Sequence, residues 1–573
     1  MYIQRNKSNG KNGKIYRSVL LCNKYRENGK IKTKVLTNLS HLPDEVVLSI
    51  ENGLKHKKDS LVYQNDITVE QSIDIGLFLL LSKLVDDLRI SQVFEKTMPE
   101  QAPLLKGLIM GKIITRGSKL GIFNWMKRNE FISEKLGVDI QNTKVDNLYS
   151  VLGFASFNQN KLERKWNLYH KSKVNEVYLY DITSTYFEGT QNALSAFGYN
   201  RDKKKGKMQI NIGLITDSEG FPLKIEVFEG NVNDHKTVNQ QIISIKKEFN
   251  VDSIIFVGDR GMKIRYNLKE MSETEKSGVN YITGLTHVEI EELVKNDIIQ
   301  LDLFSKDLVE IEHDDTRYIL SVNPVLQEKD LNYLKNIHAI IEEEIMEIKA
   351  SWEKRRNKNI ANAERIKNGD KNKKLVTKFS QKQIDTYKLR IERVLIKRKF
   401  KAYYEVKEIT DTEFVIDFKA EKYQKKKQMA GKYVVCTNLK QQQMSKIKVR
   451  QQYKNLQKVE HAFRDFKSDN IQIRPVYHRN EPQTRGHVLL SMFSYAIIKK
   501  MESEIYPFLK RWNQQNNCQL AFSDIIEELK NIKMVELNIG RNVKRLKISM
   551  FNKLQEEILK LFHIKKSDFD KAL

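Results

Sequence analysis

VNEVYLYDITSTYFEG, residues 174–189, is the stretch that decides the fold. It is rich in β-branched and aromatic residues, which predicts a strand, and it carries one carboxylate, Asp181, near its middle. Two further β-prone runs follow, Met208–Thr216 and Pro222–Phe228, with the turn Asp217–Gly220 between them. The three runs predict an antiparallel meander with an acid on its first strand.

After the meander, the pattern alternates between helix and strand. A helical segment, Thr237–Lys247, leads to the buried-strand pattern Ser253–Val257, and Asp259 follows directly. A short helix near Tyr266–Met271 and a fifth strand, Val279–Leu285, complete the series. The order β-β-β-α-β-α-β predicts an α/β fold with an RNase H-like core, a mixed five-stranded sheet with helices. In open α/β sheets, active groups gather near the carboxyl ends of strands, where we expect Asp259.

Composition indicates the class of partner. The 573 residues include 100 Lys and Arg against 73 Asp and Glu, a formal net charge of +27. This excess favours a polyanion, with DNA as the leading candidate, although a generically basic protein is the simpler alternative. Cys22, Cys436 and Cys518 form no zinc or redox pattern, which is typical of free thiols. No secretory signal or membrane-length apolar run is present, so we expect a cytoplasmic protein without a membrane partner.

A third acid stands in QQYKNLQKVEHAFRDFKSD, residues 451–469. Spacings of 3 and 4 residues put five side chains on one stripe of a predicted helix: Tyr453, Leu456, Glu460, Phe463 and Lys467. The simplest interpretation of this stretch alone is an amphipathic helix with Glu460 at its margin. Asp181 and Asp259 taken alone are equally compatible with a cap and a turn. Together on a basic chain, the three acids favour metal-dependent phosphoryl transfer.

The chain divides by composition into six predicted regions. Residues 1–62 predict a β-hairpin, with arms Lys14–Tyr25 and Lys30–Leu36, that contacts DNA or is a solvated edge hairpin. The others are a helical DNA-binding or dimerisation region (63–173), the first part of the core (174–285), an insertion with strands and a long charged helix (286–440), the second part of the core with the Glu460 helix (441–502), and a helical C-terminal region (503–573).

Four motifs carry a resemblance to a known family: Asp181-Ile182-Thr183, Gly230–Thr237 (GNVNDHKT), Val257–Met262 (VGDRGM) and the Glu460 helix. The chain resembles DDE transposases of bacterial insertion sequences, of the IS-four-like group. The third-acid signature of that group is Tyr, two residues, Arg, three residues, Glu, six residues, Lys. This chain matches three of the four positions, and Leu456 stands where arginine is expected.

The resemblance implies a chemistry. Asp181, Asp259 and Glu460 would bind two Mg²⁺ or Mn²⁺ ions and cut the ends of the element to leave a 3′-hydroxyl. That hydroxyl would then attack a phosphodiester, either across the donor duplex, through a hairpin intermediate, or directly in target DNA. Tyr453 and Lys467 would contact DNA phosphate near the cut. Arg464, about 40° from Glu460 on the helical wheel, is the candidate replacement for the missing arginine.

The resemblance also implies partners and a location. DNA, as terminal inverted repeats and as target, is the expected partner of a homodimeric synaptic complex near the bacterial nucleoid. Two alternatives to a transposase stay open: an RNase H-like nuclease that cuts without joining, and a non-catalytic DNA-binding protein derived from a transposase.

Overall fold

The computed structural model describes residues 1–9, 15–27, 29–55, 67–170, 177–305, 308–372, 374–468, 471–539 and 543–572. The parts of the sequence predictions that fall on residues 14, 28, 63–66, 171–176 and 469 lie outside the described residues. No helix in these ranges is both long enough and apolar enough to cross a membrane.

The described residues form strands and helices throughout the chain. The strands are β1 (Tyr2–Asn9), β2 (Ile15–Glu27), β3 (Lys30–Asn38), β4 (Ile67–Asp74), β5 (Val177–Tyr186), β6 (Gln209–Thr216), β7 (Pro222–Glu229), β8 (Ile254–Gly258), β9 (Val279–Gly284), β10 (Val309–His313), β11 (Thr316–Val322), β12 (Tyr404–Ile409), β13 (Phe414–Phe418), β14 (Lys432–Thr437), β15 (Lys533–Ile539) and β16 (Val543–Ile548). The helices are α1 (Asp44–Lys55), α2 (Gly76–Asp87), α3 (Ile90–Glu95), α4 (Ala102–Thr115), α5 (Lys119–Arg128), α6 (Glu130–Leu136), α7 (Val145–Phe157), α8 (Gln159–His170), α9 (Val238–Phe249), α10 (Ile264–Glu270), α11 (Glu273–Lys276), α12 (His287–Lys295), α13 (Pro324–Lys367), α14 (Gln381–Lys397), α15 (Ala420–Gln428), α16 (Lys446–Lys454), α17 (Leu456–Lys467), α18 (Glu481–Asn516), α19 (Phe522–Lys530), α20 (Lys553–Leu561) and α21 (Lys566–Ala572).

The chain forms two compact units, one of Met1–Leu84 with Lys500–Leu573 and one of Val85–Lys499. In the first unit, β1, β2 and β3 form an antiparallel sheet, so the predicted hairpin has a third strand in front of it. A second sheet has the order β16-β15-β4, so a strand from the N-terminal part of this unit pairs with a hairpin from its C-terminal part.

This second sheet corrects two predictions. The C-terminal region was expected to be helical, but it carries the hairpin β15–β16, and the helical region expected from residue 63 begins with the strand β4. Met534 pairs with Ile73 across the sheet, and both side chains are buried. β4 and β15 are partners in the sheet although about 460 residues separate them in the sequence. Strand formation that depends on so distant a partner leaves only a weak local signal in either segment.

The second unit is built on one mixed sheet of eight strands, in the order β10-β11-β14-β9-β8-β5-β6-β7. The pairs β5–β8 and β8–β9 are parallel, and the other pairs are antiparallel. The five predicted core strands are all present as β5 to β9. The prediction of a five-stranded sheet was wrong in extent, because β14, β11 and β10 continue the sheet beyond β9.

The predicted insertion therefore contributes to the sheet at both of its ends. The side chains of β11 and β14 are mostly buried, as expected of internal strands. Between these strands, α13, α14, β12, β13 and α15 form a separate hydrophobic cluster that includes Ile341, Trp352, Ile391 and Tyr423. The long charged helix was predicted and is present as α13.

Alternation along β5 assigns its residues to the two faces of the sheet. Tyr178, Tyr180 and Ile182 belong to the core that also contains the apolar residues of α9 and α10. Since successive side chains in a strand point to opposite faces, Asp181 and Thr183 face the other way, toward α17, which packs on β5 and β6. This face carries the candidate site.

Helix α8 covers the edge strand β7 with polar contacts. The indole of Trp166 donates to the carbonyl oxygen of Pro222 at 2.8 Å. The Gln159 amide donates to the carbonyl oxygen of Ile225 at 2.6 Å, and the N–H of Ile225 donates to the Glu163 carboxylate at 3.1 Å. The side chains of one helix thus satisfy backbone groups along this edge.

Candidate active site

Strand register brings the two predicted aspartates together. In the parallel pair of β5 and β8, Tyr180 is opposite Gly258, so the next residues, Asp181 and Asp259, follow at adjacent positions on neighbouring strands. Asp259 comes directly after the end of β8, with extended backbone (φ −69°, ψ 160°). β5 continues past this point on its pairing with β6. Asp181 is therefore half-buried within a sheet, and Asp259 is exposed at the end of a strand.

The helix that carries Glu460 is shorter than predicted. The stretch expected to form one helix is divided at Asn455 into α16 and α17, so Tyr453 and Glu460 belong to different helices. The Asn455 amide donates to Gln452 Oε1 at 3.1 Å, and its carbonyl oxygen Oδ1 accepts from Gln451 Nε2 at the same distance. These local side-chain bonds accompany the break, as is typical of asparagine.

All three acids line one open cavity of about 680 Å³. Asp181 comes from β5, Asp259 from the end of β8, and Glu460 from the exposed side of α17. The apolar side of α17, with Val459, Ala462, Phe463 and Phe466, is buried. The packing of this helix therefore holds Glu460 over the sheet beside the two aspartates. The remaining described lining residues are Ile182, Thr183, Arg201, Asn323, Tyr433, Tyr453, Lys454, Leu456, Gln457 and Phe463.

The electrostatics at Asp181 favour a cation. The pKa of Asp181 is raised to about 7, mainly by burial and also by the negative charges of Asp259 and Glu460. The backbone N–H of Ile182 and the guanidinium of Arg201 oppose this shift. A bound cation would relieve this repulsion and keep Asp181 ionised. Three carboxylates offer the oxygen ligands that Mg²⁺ and Mn²⁺ prefer, so the side chains fit the expected metal.

The acids nevertheless do not form one preassembled metal cluster. Within the described ranges, no group of three or more His, Cys, Asp and Glu side chains is arranged to hold a single ion. The three acids line the same cavity, and the charges of Asp259 and Glu460 affect the pKa of Asp181. Their side chains are not close enough together to form a metal site by themselves.

Tyr453 reaches Asp259 because residue 284 is a glycine. The Tyr453 hydroxyl donates to Asp259 Oδ1 at 3.2 Å. A Cβ atom at Gly284, the last residue of β9, would lie 2.2 Å from this hydroxyl oxygen. The close approach therefore requires a residue without a side chain. Burial and the adjacent Asp259 charge raise the pKa of Tyr453, which keeps the hydroxyl protonated as a donor.

Lys467 is held outside the cavity. Its ammonium donates to Thr183 Oγ1 at 2.8 Å, to the Ser184 carbonyl oxygen at 2.6 Å and to Asp202 Oδ1 at 3.0 Å. Asp202 is almost fully buried and also accepts from Arg474 at 2.6 Å. Burial lowers the pKa of Lys467, and the charge of Asp202 opposes this shift. All three ammonium protons thus have partners within the protein. Arg464 is exposed and is not among the residues that line the cavity.

Sequence reasoning missed Arg201 and Gly284. Arg201 lines the cavity beside Asp181 and forms an ion pair with Asp234 at 2.6 Å. It lies in the basic loop of residues 200–207, for which the sequence predicted no role, while Asp234 lies in the GNVNDHKT motif, which had no assigned role. The acid in this motif and the basic residues of the loop were the sequence features that could have predicted the ion pair. Gly284 ends a β-prone run and had no signal of its own.

Comparison with known proteins agrees with the resemblance seen in the sequence. Residues 173–497 match the family model of the transposase DDE domain, and residues 3–62 match the N-terminal domain of IS1634 family transposases. The prediction of an insertion-sequence DDE transposase is thus confirmed. The N-terminal match gives the IS1634 family, which differs from the predicted IS-four-like group but is compatible with it. No curated protein matches the sequence.

Among solved structures, the chain is similar to one described as a cryo-EM structure of the piggyBac transposase synaptic complex with hairpin DNA. The identity is 9%, the TM-score is 0.32, and the match covers 80% of this chain and 78% of that one, a likeness too distant to carry an inference. The family match alone spans more than half of the sequence. The chain therefore belongs to the insertion-sequence transposases with a DDE domain, enzymes that cut and move DNA with the help of a divalent metal.

Proposed function

We propose that Asp181, Asp259 and Glu460 are the catalytic acids of this transposase and that they lie in an RNase H-like core. The observation that supports this most directly is the shared cavity, to which a strand, a strand end and a helix each contribute one acid. The order of β5 to β9 with α9 and α10 is the order expected of such a core.

We propose that the three acids hold two Mg²⁺ or Mn²⁺ ions. When bound, such ions supply charge stabilisation at the scissile phosphate and a water of lowered pKa. The protein would contribute ionised carboxylates in fixed positions. Tyr453 orients Asp259 through its hydroxyl, and Arg201 places a positive charge beside Asp181. Lys454, exposed at the same cavity, is placed to attract the DNA backbone.

The proposed reaction has two chemical steps. In the first, the oxygen of a water molecule forms a bond to phosphorus at the end of the element, and the bond to the 3′ oxygen breaks to give a 3′-hydroxyl. In the second, that hydroxyl oxygen attacks another phosphodiester, and the displaced 3′ oxygen leaves. Both steps use the same acids, since each is an in-line displacement at phosphorus.

Tyr453, Lys467 and Arg464 remain proposed contacts for DNA phosphate. For Lys467, such a contact would replace the bond to Asp202. We further propose that residues 1–62 contact DNA, that residues 63–173 serve DNA binding or dimerisation, that residues 286–440 contact DNA, and that two copies synapse the element ends near the nucleoid. The net charge of +27 supports a large DNA interface.

The decisive test is in vitro transposition with the purified full chain. The substrate is a duplex that contains one end of the element and its flank, incubated with target plasmid and Mg²⁺, Mn²⁺ or EDTA. We expect cleavage and joined products with either metal and neither with EDTA. Cleavage without joining would indicate the nuclease alternative, and binding without products would indicate a non-catalytic DNA-binding protein.

Three variants test the site assignment: Asp181→Asn, Asp259→Asn and Glu460→Gln. Each is expected to bind the duplex in EDTA as the wild type does and to give no cleavage with Mg²⁺. Asp252→Asn, at an exposed acid outside the cavity, is the matched control and should stay fully active. Wild-type cleavage by any of the three variants would contradict the assignment.

A further inference from the structure

A second cavity, of about 710 Å³, has a charged lining that is almost entirely basic, and the proposed reaction does not use these residues. Its described lining includes five lysine and arginine side chains and a single acid, the exposed Asp146. The basic residues come from two segments that are distant in the sequence: Lys112, Arg116 and Lys119 around the start of α5, and Arg474 and Arg479 after α17. We call this the basic pocket.

Two ammonium groups in the basic pocket are buried without an acidic partner. Lys112 and Lys119 are 7% and 8% exposed. Lys112 donates to the carbonyl oxygens of Gly117 at 3.1 Å and Gln472 at 3.2 Å, and Lys119 contacts His487 Nδ1. Within the part of the chain that the structure describes, neither ammonium has a carboxylate at salt-bridge distance. Buried charges are normally paired with an opposite charge, and an anion in the basic pocket would supply such a partner to both ammonium groups.

The pKa shifts of the basic groups in the pocket show an environment that would favour a bound anion. Burial lowers the pKa of Lys112 to about 8. Burial and the charge of Lys112 lower the pKa of Lys119 well below its usual value. The neighbouring His478 has its pKa lowered to about 3 by burial and by the charges of Lys119 and Lys112. Mutual repulsion among cations is what a bound anion removes.

The local backbone adds to the positive potential. Gly117, Ser118 and Lys119 lie at the N-terminus of α5, and Asp146 and Asn480 lie at the N-termini of α7 and α18. The partial positive charges of these helix ends therefore lie at the same cavity as the lysines.

We propose that the basic pocket is a binding site for one phosphate group. Cations that approach from different directions suit a tetrahedral oxyanion, since its several oxygens can each accept from a separate donor. The phosphate could belong to the backbone of bound DNA or to a free phosphate compound. Arg474 also bonds Asp202, which bonds Lys467 beside Thr183 of the catalytic cavity, so the two cavities are linked by side-chain contacts.

The first experiment measures thermal unfolding of the full chain with inorganic phosphate. Phosphate at 20 mM, against chloride at equal ionic strength, is expected to raise the Tm of the wild type by about 2 °C, since a ligand that binds only the native state stabilises it. Lys119→Met should remove this shift. Lys127→Met, at an exposed lysine of the same helix outside the pocket, is the matched control and should keep it.

A second variant guards against misfolding of Lys119→Met. Arg479→Gln changes an exposed residue at the pocket and should reduce the phosphate shift without altering the circular dichroism spectrum. The proposal is overturned if phosphate stabilises the wild type no more than chloride does, or if Lys119→Met and Arg479→Gln both respond as the wild type does.

The source of the phosphate is decided by competition. If the natural ligand is a DNA phosphate, a saturating duplex of the element end abolishes the phosphate-induced shift, and Lys119→Met weakens duplex binding by about tenfold while Lys127→Met does not. If the ligand is a free phosphate compound, the shift persists with duplex bound. The competition experiment with duplex rests on the proposed function, whereas the unfolding experiment with inorganic phosphate does not. If strand transfer fails, the effect of phosphate on the Tm still tests the basic pocket.

Discussion

The Tyr453 hydroxyl donates a hydrogen bond to Asp259 Oδ1 at 3.2 Å, across the space left by the missing side chain of Gly284. This contact joins the short helix α16 to the strand end that carries Asp259, a proposed catalytic acid. The family signature places a tyrosine seven residues before the glutamate, and here that tyrosine bonds an aspartate. Tyr453 therefore orients an acid.

Tyr453→Phe is expected to slow cleavage about tenfold, because a hydrogen bond to a charged group contributes about 1.5–3 kcal/mol. Duplex affinity in EDTA should fall by less than the cleavage rate does, because the phosphate contact proposed for Tyr453 is one of many contacts to DNA. Gly284→Ala should slow cleavage at least as much, since its methyl group displaces the Tyr453 ring, and the double variant should lose less than the two separate effects combined. If Tyr453→Phe loses duplex affinity and keeps its cleavage rate, the tyrosine acts on DNA phosphate instead.

Lys467→Met is expected to lower stability more than DNA affinity. The variant leaves buried Asp202 with Arg474 as its remaining cation, at a cost of about 2 kcal/mol. Calorimetric Tm and duplex affinity measured side by side check this. Lys454→Met, at the exposed rim of the catalytic cavity, should show the opposite pattern, with normal stability and weaker binding. A stable Lys467→Met protein with weakened duplex binding would support the phosphate role implied by the family.

Lys224→Met is expected to destabilise the Val85–Lys499 unit by about 3–5 kcal/mol, because it removes the cation between two carboxylates. Lys224 and Glu163 are almost completely buried and 2.9 Å apart, and Glu248 lies 2.8 Å from the same ammonium. Adding Glu163→Gln should recover part of the loss, which denaturant unfolding would measure. Equal midpoints for the single and double variants would show that Glu163 carries no charge once Lys224 is removed.

His478→Gln is expected to reduce the acid sensitivity of folding. The native pKa of His478 is lowered to about 3, while the unfolded value is about 6.5. Between these values the unfolded chain binds a proton that the native state excludes, so stability falls as the pH drops below 6.5, by up to about 1.4 kcal/mol per pH unit. Unfolding at pH 7, 6 and 5 should show a shallower slope for the variant. His461→Gln, at an exposed histidine, should follow the wild type.

The sequence predicted the parts of the fold that local pattern determines. The order β5 to β9 and the positions of Asp181 and Asp259 follow from short β-prone runs with clear turns between them. Glu460 was predicted from helical spacing, which survives the break at Asn455 because α17 alone contains both Glu460 and its apolar face.

Features that depend on distant partners were not predictable in this way. β14 becomes an internal strand of the main sheet by pairing with β9, β11 becomes one by pairing with β14, and β4 pairs with the distant strand β15. The partner of Lys467 is a buried aspartate 265 residues earlier in the chain, in a basic loop for which the sequence predicted no role. Spacing placed that lysine on the correct helix but could not show which anion it meets.

The helix α8 has a consequence for assembly. Its side chains occupy backbone donors and acceptors of β7 that would otherwise be open to a passing strand. A second copy of the chain, or a misfolded neighbour, cannot add a strand at these positions without first displacing Trp166, Gln159 and Glu163. This edge of the sheet is therefore protected from strand addition and from the aggregation that strand addition would start.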